Sequence, residues 1–323
     1  MTNWTLTEKI SFIDGVFGAG RLARNSINYD VRCPLCDPKD ASKKKLSIRL
    51  ADDALHCWVC DFRARSLLTL VKKFGSRSQF DEYKQKFLSS TSCTYNQQDF
   101  EPESVSTAHD LFPKDFRLLA TGCEGRDAMD VKKYVLGRGL TERDLWYHKL
   151  GTSDEARWRR RVIVPSFDVN GQINFFVART IDKWVRPKYD NPNVNTSSIV
   201  FNENNIDWSK ELILCEGAFD CFKCDENTVP LLGSNINEEA VIFNSIVAND
   251  TPVLLALDAD MWFKKTFKLA KKLAEYDINV RVVDTRLFGD PGQATREQMA
   301  LAVSKARPFD WKDAFFVRLE GIT

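Results

Sequence analysis

Two pairs of cysteines constrain this chain more than any other feature: Cys33-Pro-Leu-Cys36 and, after twenty intervening residues, Cys57-Trp-Val-Cys60. Two CxxC knuckles about 15 to 20 residues apart have the spacing of a zinc ribbon, in which each knuckle supplies two thiolates to one tetrahedral ion. Four thiolates fill the coordination sphere and leave no place for a water, so such an ion folds its domain and does no catalysis. Between the knuckles, Leu46-Ser-Ile-Arg-Leu50 alternates as a strand should, a turn follows at Asp52-Asp53, and Ala54-Leu-His-Cys57 reads as a second strand. His56 abuts a ligand but is read as a non-ligand, because four sulfurs already satisfy the ion. Arg32, Lys43, Lys44, Lys45, Arg49, Arg63 and Arg65 surround the ribbon; a charge run usually reads as a solvated face, but around a compact zinc module a nucleic-acid contact weighs at least as much.

The other cysteines, Cys93, Cys123, Cys215, Cys221 and Cys224, lack a second knuckle. Cys221-Phe-Lys-Cys224 falls in an expected helix and is read as packing. Gly18-Ala-Gly20-Arg-Leu-Ala23 has the GxGxxA form of a dinucleotide fingerprint, but no strand is expected before it, and it is discounted. Nine cysteines in 323 residues are too sparse for a disulfide scaffold. No secretory signal opens the chain and no run approaches the ~18 apolar residues of a spanning helix, which makes the cytoplasm the default location, the host cytoplasm if the chain is phage-encoded. No Gly is followed by Lys, so there is no Walker A loop and no ATP-driven helicase is expected within the chain.

Lys plus Arg number 46 and Asp plus Glu 45, a net charge of +1 that argues at first sight against a nucleic-acid partner. The distribution reads differently: +6 over residues 1–90, −3 over 91–109, +5 over 110–189 and −7 over 190–323. Such asymmetry suggests a phosphate-facing surface in one region and an acidic centre in another.

Residues 88–109 carry no Lys or Arg, are rich in Ser, Thr, Gln and Asn, and read as a linker between a zinc-ribbon domain at 1–87 and the rest. In a basic region at 110–206, a helix is expected around Asp127 to Leu136, followed by the run Arg157-Trp-Arg-Arg-Arg161. Val162–Pro165 and Ile173–Ala178 read as strands joined at Asn170-Gly171. Arg179, Lys183, Arg186 and Lys188 lie just beyond, and on composition alone a solvated edge and a phosphate site are even. From 207 to 323, apolar runs at 211–215, 228–232, 251–257 and 278–283 alternate with helix-length segments, which implies a doubly wound α/β domain with a mostly parallel sheet. Ligands of such sheets bind beyond the carboxyl ends of the strands. Acids stand there: Glu216, Asp258, Asp260, Asp284 and Asp290. Clustered carboxylates repel one another unless hard cations neutralise them, and Mg2+ takes oxygen ligands of this kind. The lysines after Asp260 (Lys264, Lys265, Lys268, Lys271 and Lys272) oppose an apolar face of Phe263, Phe267, Ala270, Leu273 and Ala274 and read as a solvated stripe.

Taken together, the paired knuckles, Glu216-Gly-Ala-Phe-Asp220, Asp258-x-Asp260 and Asp290-Pro resemble the DnaG-type primases of bacteria and their phages, whose catalytic core contains a toprim domain. Arg161-Val-Ile-Val-Pro165, Gly171–Phe175, Ala178-Arg179 and Pro187-Lys-Tyr-x-Asn191 are similar in order and spacing to the basic strand-turn-strand that precedes toprim in that family. The resemblance runs from about Asn28 to Phe309 and is weaker over 88–155. It implies an α/β chain (α+β overall): an N-terminal zinc ribbon tethered to a primase polymerase core with a C-terminal toprim doubly wound domain. It implies Glu216, Asp258, Asp260 and Asp290 as catalytic residues, with Glu216, Asp258 and Asp260 holding Mg2+. The cofactors would be one structural Zn2+ on Cys33, Cys36, Cys57 and Cys60 and roughly one to three catalytic Mg2+ ions, with Mn2+ as the alternative. Arg161, Arg179, Arg186 and Lys188 would hold template or nucleotide phosphates, while Trp58 and Phe62 are candidates to stack on template bases. The chain departs from the family pattern at Gly292, where a second acid is usual, with Asp284 as the compensating candidate, and in its all-cysteine zinc set, which is the phage-like version. The reaction implied is synthesis of short RNA primers on single-stranded DNA from ribonucleoside triphosphates. The expected form is stand-alone, beside a separate replicative helicase, with a single-stranded DNA-binding protein as a further partner. The rival readings are a zinc/toprim recombination mediator that does no chemistry and a toprim nuclease.

Overall fold

The computed structural model describes residues 5–24, 26–36, 43–90, 108–121, 124–224, 227–232, 236–258, 265–285, 291–310 and 312. Asp260, Asp290, Phe263, Lys264, Cys93, Cys123 and most of the expected linker lie outside the described residues. The chain forms two compact units.

The first unit begins with the helix Leu6–Phe17, started by a capping box in which the Thr5 hydroxyl and the Glu8 carboxylate each accept from the other residue's backbone N–H. Five short strands follow: β1 (Arg21–Leu22), β2 (Asn28–Val31), β3 (Leu46–Arg49), β4 (Leu55–Cys57) and β5 (Arg63–Ala64). They pair in chain order, all antiparallel, with Leu46 opposite Cys57 and Ile48 opposite Leu55. Alternation places Tyr29, Val31, Leu46 and Ile48 on the buried face. The discounted glycine pattern has a structural explanation here: a helix precedes it, and a Cβ on Gly20 would stand 2.2 Å from the Tyr29 ring. Two helices, Leu68–Phe74 and Arg77–Ser90, follow and pack on each other; Tyr83 of the second stacks on Phe12 of the helix Leu6–Phe17 and donates to the Asp53 carboxylate at 2.7 Å.

This unit is discontinuous in sequence. It also contains residues 236–251 and 272–278, and its helix Leu68–Phe74 packs on the helix Val241–Asn249. Leu67, Leu68, Leu70, Val71 and Phe243 are fully buried, each worth about 1.5–3 kcal/mol of apolar burial. Polar groups fasten the contact: Ser66 donates to Asn244 Oδ1 at 3.3 Å, the nearly buried Lys72 ammonium meets the Asp250 carboxylate, and Lys73 meets Glu275 at 3.1 Å.

The second unit contains two sheets. The first is antiparallel, in the order β6 (Arg117–Leu118), β7 (Gly151–Thr152), β8 (Arg161–Phe167) and β9 (Ile173–Thr180). Its β8–β9 hairpin turns at Asp168–Gln172, where Gly171 takes φ +76° and the Asp168 carboxylate accepts from the N–H groups of Asn170 and Gln172. The buried rings of Trp158 and Phe176, with Ile163 and Ala178, form its core. The second sheet is the expected mostly parallel one, in the order β11 (Thr228–Pro230), β10 (Leu212–Cys215), β12 (Val253–Ala256), β13 (Val280–Val282) and β14 (Arg307–Pro308), with only β14 antiparallel. Being covered on both faces, β10 and β12 read as unbroken apolar runs with every residue buried. Among the described residues no helix is long and apolar enough to cross a membrane.

Candidate metal centres

The four knuckle cysteines converge. Cys33 follows β2, Cys57 ends β4, and Cys36 and Cys60 lie in the tight bends after them. The bend at Cys57 is held by its N–H donating to the Phe62 carbonyl and its carbonyl accepting from the Asp61 N–H. The four sulfurs lie within 4.8 Å of one another, with Cys33 Sγ to Cys60 Sγ at 3.9 Å and Cys36 Sγ to Cys57 Sγ at 3.7 Å. A tetrahedral ion with sulfur ligands at about 2.3 Å requires sulfurs roughly 3.8 Å apart, so both edges fit. Burial pushes the Cys33 thiol up and the Cys36 thiol up to about 11. At Cys57 burial works the same way but is outweighed by the N–H groups of Cys60 and Val59, and its thiol falls below the usual range. His56 stands outside the cluster; its Nε2 meets Asp61 Oδ1 at 2.8 Å and its ring lies edge-on to Trp58, whose indole is exposed. Among the described residues this is the one group of three or more metal-type side chains that closes on a point.

The second centre is assembled by strand register. Cys215 is opposite Ala256 and Leu255 opposite Val282, so Glu216, Asp258 and Asp284 follow the same ends of three neighbouring parallel strands. The Thr285 hydroxyl donates to the Leu257 carbonyl at 2.7 Å and ties two of these ends together. After Glu216 the chain enters a short helix, Ala218–Cys221, fixed by the Gly217 N–H donating to the Asp220 carboxylate at 2.8 Å. That bond gives Asp220 of the Glu216–Asp220 motif a local structural duty. Glu216 Oε1 accepts from the Lys265 ammonium at 2.9 Å, while Oε2 is buried without a hydrogen-bond partner among the described residues. A buried carboxylate oxygen in that state is a fitting ligand for a hard cation. Helical periodicity puts Lys265 in the solvated stripe and does not distinguish it from its neighbours; only the fold sets it on Glu216. Lys272 of the same stripe meets Glu238 at 2.8 Å. The expected packing role of Cys221 and Cys224 matches their position against the core of Ile213, Cys215, Leu254 and Ala256.

The predicted phosphate-binding residues occupy unlike positions. Arg161 is buried, with its guanidinium donating to the carbonyls of Ala178, Pro187 and Lys188, and burial lowers its pKa. Arg179 is also buried; it donates to the Tyr189 hydroxyl at 2.6 Å and lies over the rings of Phe219, at 4.7 Å, and Tyr189. Arg179 is thus the predicted cation that packs on the short helix following Glu216, to which Phe219 belongs. Arg186 and Lys188 are exposed. A residue that no sequence motif singles out, Arg138, also lies over Phe219: its guanidinium is 5.3 Å from the ring centroid and donates to the carbonyl of Gly292.

By fold and site, the chain is a cysteine-ribbon protein whose parallel-sheet module carries acids at the carboxyl ends of its strands. No family model matches the sequence. Over 140 residues the chain is 32% identical to the DNA primase of Mycoplasma pneumoniae, a stretch that covers 40% of this chain and 23% of that protein. Similar solved structures include the zinc-binding and RNA polymerase domains of the Aquifex aeolicus primase, at 17% identity and TM-score 0.47, covering 96% of this chain and 87% of that one. The RNA polymerase domain of Mycobacterium tuberculosis primase DnaG is similar at 14% identity and TM-score 0.45, over 58% and 80% of the two chains.

Proposed function

We propose that this chain is a DNA primase that synthesises short RNA on single-stranded DNA from ribonucleoside triphosphates, releasing pyrophosphate. The observation that carries the reading is the 140-residue stretch 32% identical to a DNA primase. The acids at neighbouring strand ends give that reading its chemistry. Glu216 and Asp258, with Asp260 and Asp290 from outside the described residues, are the candidate ligands and acids for Mg2+. When bound, Mg2+ would lower the pKa of the attacking 3′ hydroxyl and neutralise charge on the triphosphate. Glu216 offers its buried Oε2 to such an ion, while the Lys265 ammonium offsets part of the charge on the other oxygen. Arg179 and Arg138, held over Phe219, supply fixed positive charge beside the same helix. Arg161 acts through its carbonyl contacts, which shape the chain leading to Lys188.

The four-cysteine centre is the structural zinc site in this reading. Its ligands are complete, so it binds and folds and does not react. The exposed Trp58 beside it is suited to stacking on template bases. A separate replicative helicase and a single-stranded DNA-binding protein are the partners such an enzyme would work with.

The test is to incubate the full chain with single-stranded DNA, four ribonucleotides and Mg2+ and to look for short RNA. Asp258→Ala is expected to cut synthesis on the order of a thousandfold, the rate equivalent of about 4 kcal/mol, while DNA binding persists. Wild-type-like product from that variant would refute the assignment of Asp258. Cleaved DNA without RNA would favour a nuclease, and binding without product a mediator.

A further inference from the structure

The loop Asp182–Pro187, which follows β9, carries an exposed tryptophan on a fixed frame. Trp184 is 81% exposed, and among the described residues no ring stacks on it. An indole left in water forfeits most of the apolar burial that normally places tryptophan inside or at an interface. The loop is nevertheless tied down at both ends. Asp182, whose side chain is largely buried, takes a two-pronged contact from Arg160, at 2.8 and 3.0 Å. At the other end the Arg161 guanidinium donates to the Pro187 carbonyl at 3.3 Å, and the Thr180 N–H donates to the Lys188 carbonyl at 3.0 Å. Within the loop, Arg186 donates to the carbonyls of Lys183 and Val185.

The charge around the indole is one-sided. Lys183, Arg186 and Lys188 are all exposed, and among the described residues none of them pairs with a carboxylate. The loop's one acid, Asp182, is already committed to Arg160. A rigid aromatic face among three uncompensated cations matches one kind of partner: a polyanion whose repeating unit also presents a flat ring. Single-stranded nucleic acid is that partner, because its bases stack on aromatic side chains while its phosphates take the cations.

We propose that Trp184 is a base-stacking post for single-stranded DNA, with Lys183, Arg186 and Lys188 holding the flanking phosphates. This deepens the primase reading and rests on it for the strand being the template. A protein partner of acidic character is the competing occupant, and it would not respond to the removal of bases.

The experiment measures binding of the full chain to a labelled single-stranded DNA, to the same strand with abasic sites, and to a duplex, each over a series of salt concentrations. Trp184→Ala is expected to weaken binding to the intact strand roughly tenfold, with the salt slope unchanged and Trp184→Phe restoring most of the loss. Arg186→Ala is expected to reduce the salt slope by about one phosphate's worth instead. Abasic sites should cost the wild type as much as the tryptophan substitution does, and cost Trp184→Ala little further. Wild-type affinity in Trp184→Ala, or an equal loss on intact and abasic strands, would overturn the proposal. If the wild type makes no RNA yet the base-dependent loss appears, the primase reading fails and the stacking post stands. RNA synthesis together with base-independent binding at Trp184 would remove the stacking post and leave the primase reading in place.

Discussion

The two candidate metal centres gather their ligands in opposite ways. The cysteine centre draws on 28 consecutive residues, Cys33 to Cys60, and its sulfurs meet through turns after β2 and β4, the two strands that flank β3. Glu216 and Asp258 are 42 residues apart and become neighbours only because β10 and β12 pair in parallel with Cys215 against Ala256. A local centre is one that its own ion can build. The non-local one is built by the sheet, whose apolar strands supply the stability, so its acids are free to be placed for chemistry at the sheet's expense.

The strongest way to break this contrast is to remove one ligand from each. Cys57→Ser, at a fully buried position, is expected to release the metal and unfold the β1–β5 sheet, since structural zinc contributes on the order of 10 kcal/mol or more to small domains. Metal content and proteolysis of the N-terminal residues in the full chain would report it; an intact, metal-loaded sheet would mean that the ion is dispensable. Asp258→Ala, by contrast, should leave the thermal midpoint close to that of the wild type.

Acidity sharpens the same comparison at smaller scale. With Cys36 pushed up to about 11 and Cys33 raised as well, metal uptake must displace protons from thiols. Lowering the pH protonates the ligands, so metal affinity must fall as pH falls and rise as it rises, by up to about tenfold per displaced proton per pH unit. A zinc affinity flat between about pH 6 and 8 would contradict ligation by thiolates that bind protons this tightly. The smallest effect concerns Lys265. Lys265→Met removes a half-exposed ion pair, so stability should change by less than about 1 kcal/mol. If Glu216 holds Mg2+ as proposed, removing a competing cation should also lower the half-saturating Mg2+ concentration about two- to fivefold. An increase would show that Lys265 supports the bound ion and does not compete with it.

Features set by short-range pattern were legible in the sequence. The runs at 211–215 and 251–257 contain β10 and β12, Asn170-Gly171 lies in the hairpin, and the knuckle spacing brings four sulfurs together. Long-range pairings were not. The run Arg157–Arg161 is basic in sequence, yet Arg157 is held by Asp190, Arg159 by Asp127, and Arg160 by Asp127, Asp130 and Asp182. These acids lie 22 to 33 residues away, and composition assigns no arginine to any of them. The cations at 183–188, by contrast, have no such partners among the described residues. Net charge by segment therefore could not separate arginines that brace the fold from those that face solvent.

The contact between Leu68–Phe74 and Val241–Asn249 also sets a timetable. A ribosome making this chain releases the ribbon and its helices well before it reaches residues 236–251 and 272–278, which complete the same unit. At roughly 5 to 20 residues per second, the delay is on the order of ten to thirty seconds. Throughout that interval the nascent chain carries an uncovered apolar helix side and a Lys72 whose partner carboxylate, Asp250, has not been made. The N-terminal module is thus first in sequence and among the last to finish folding.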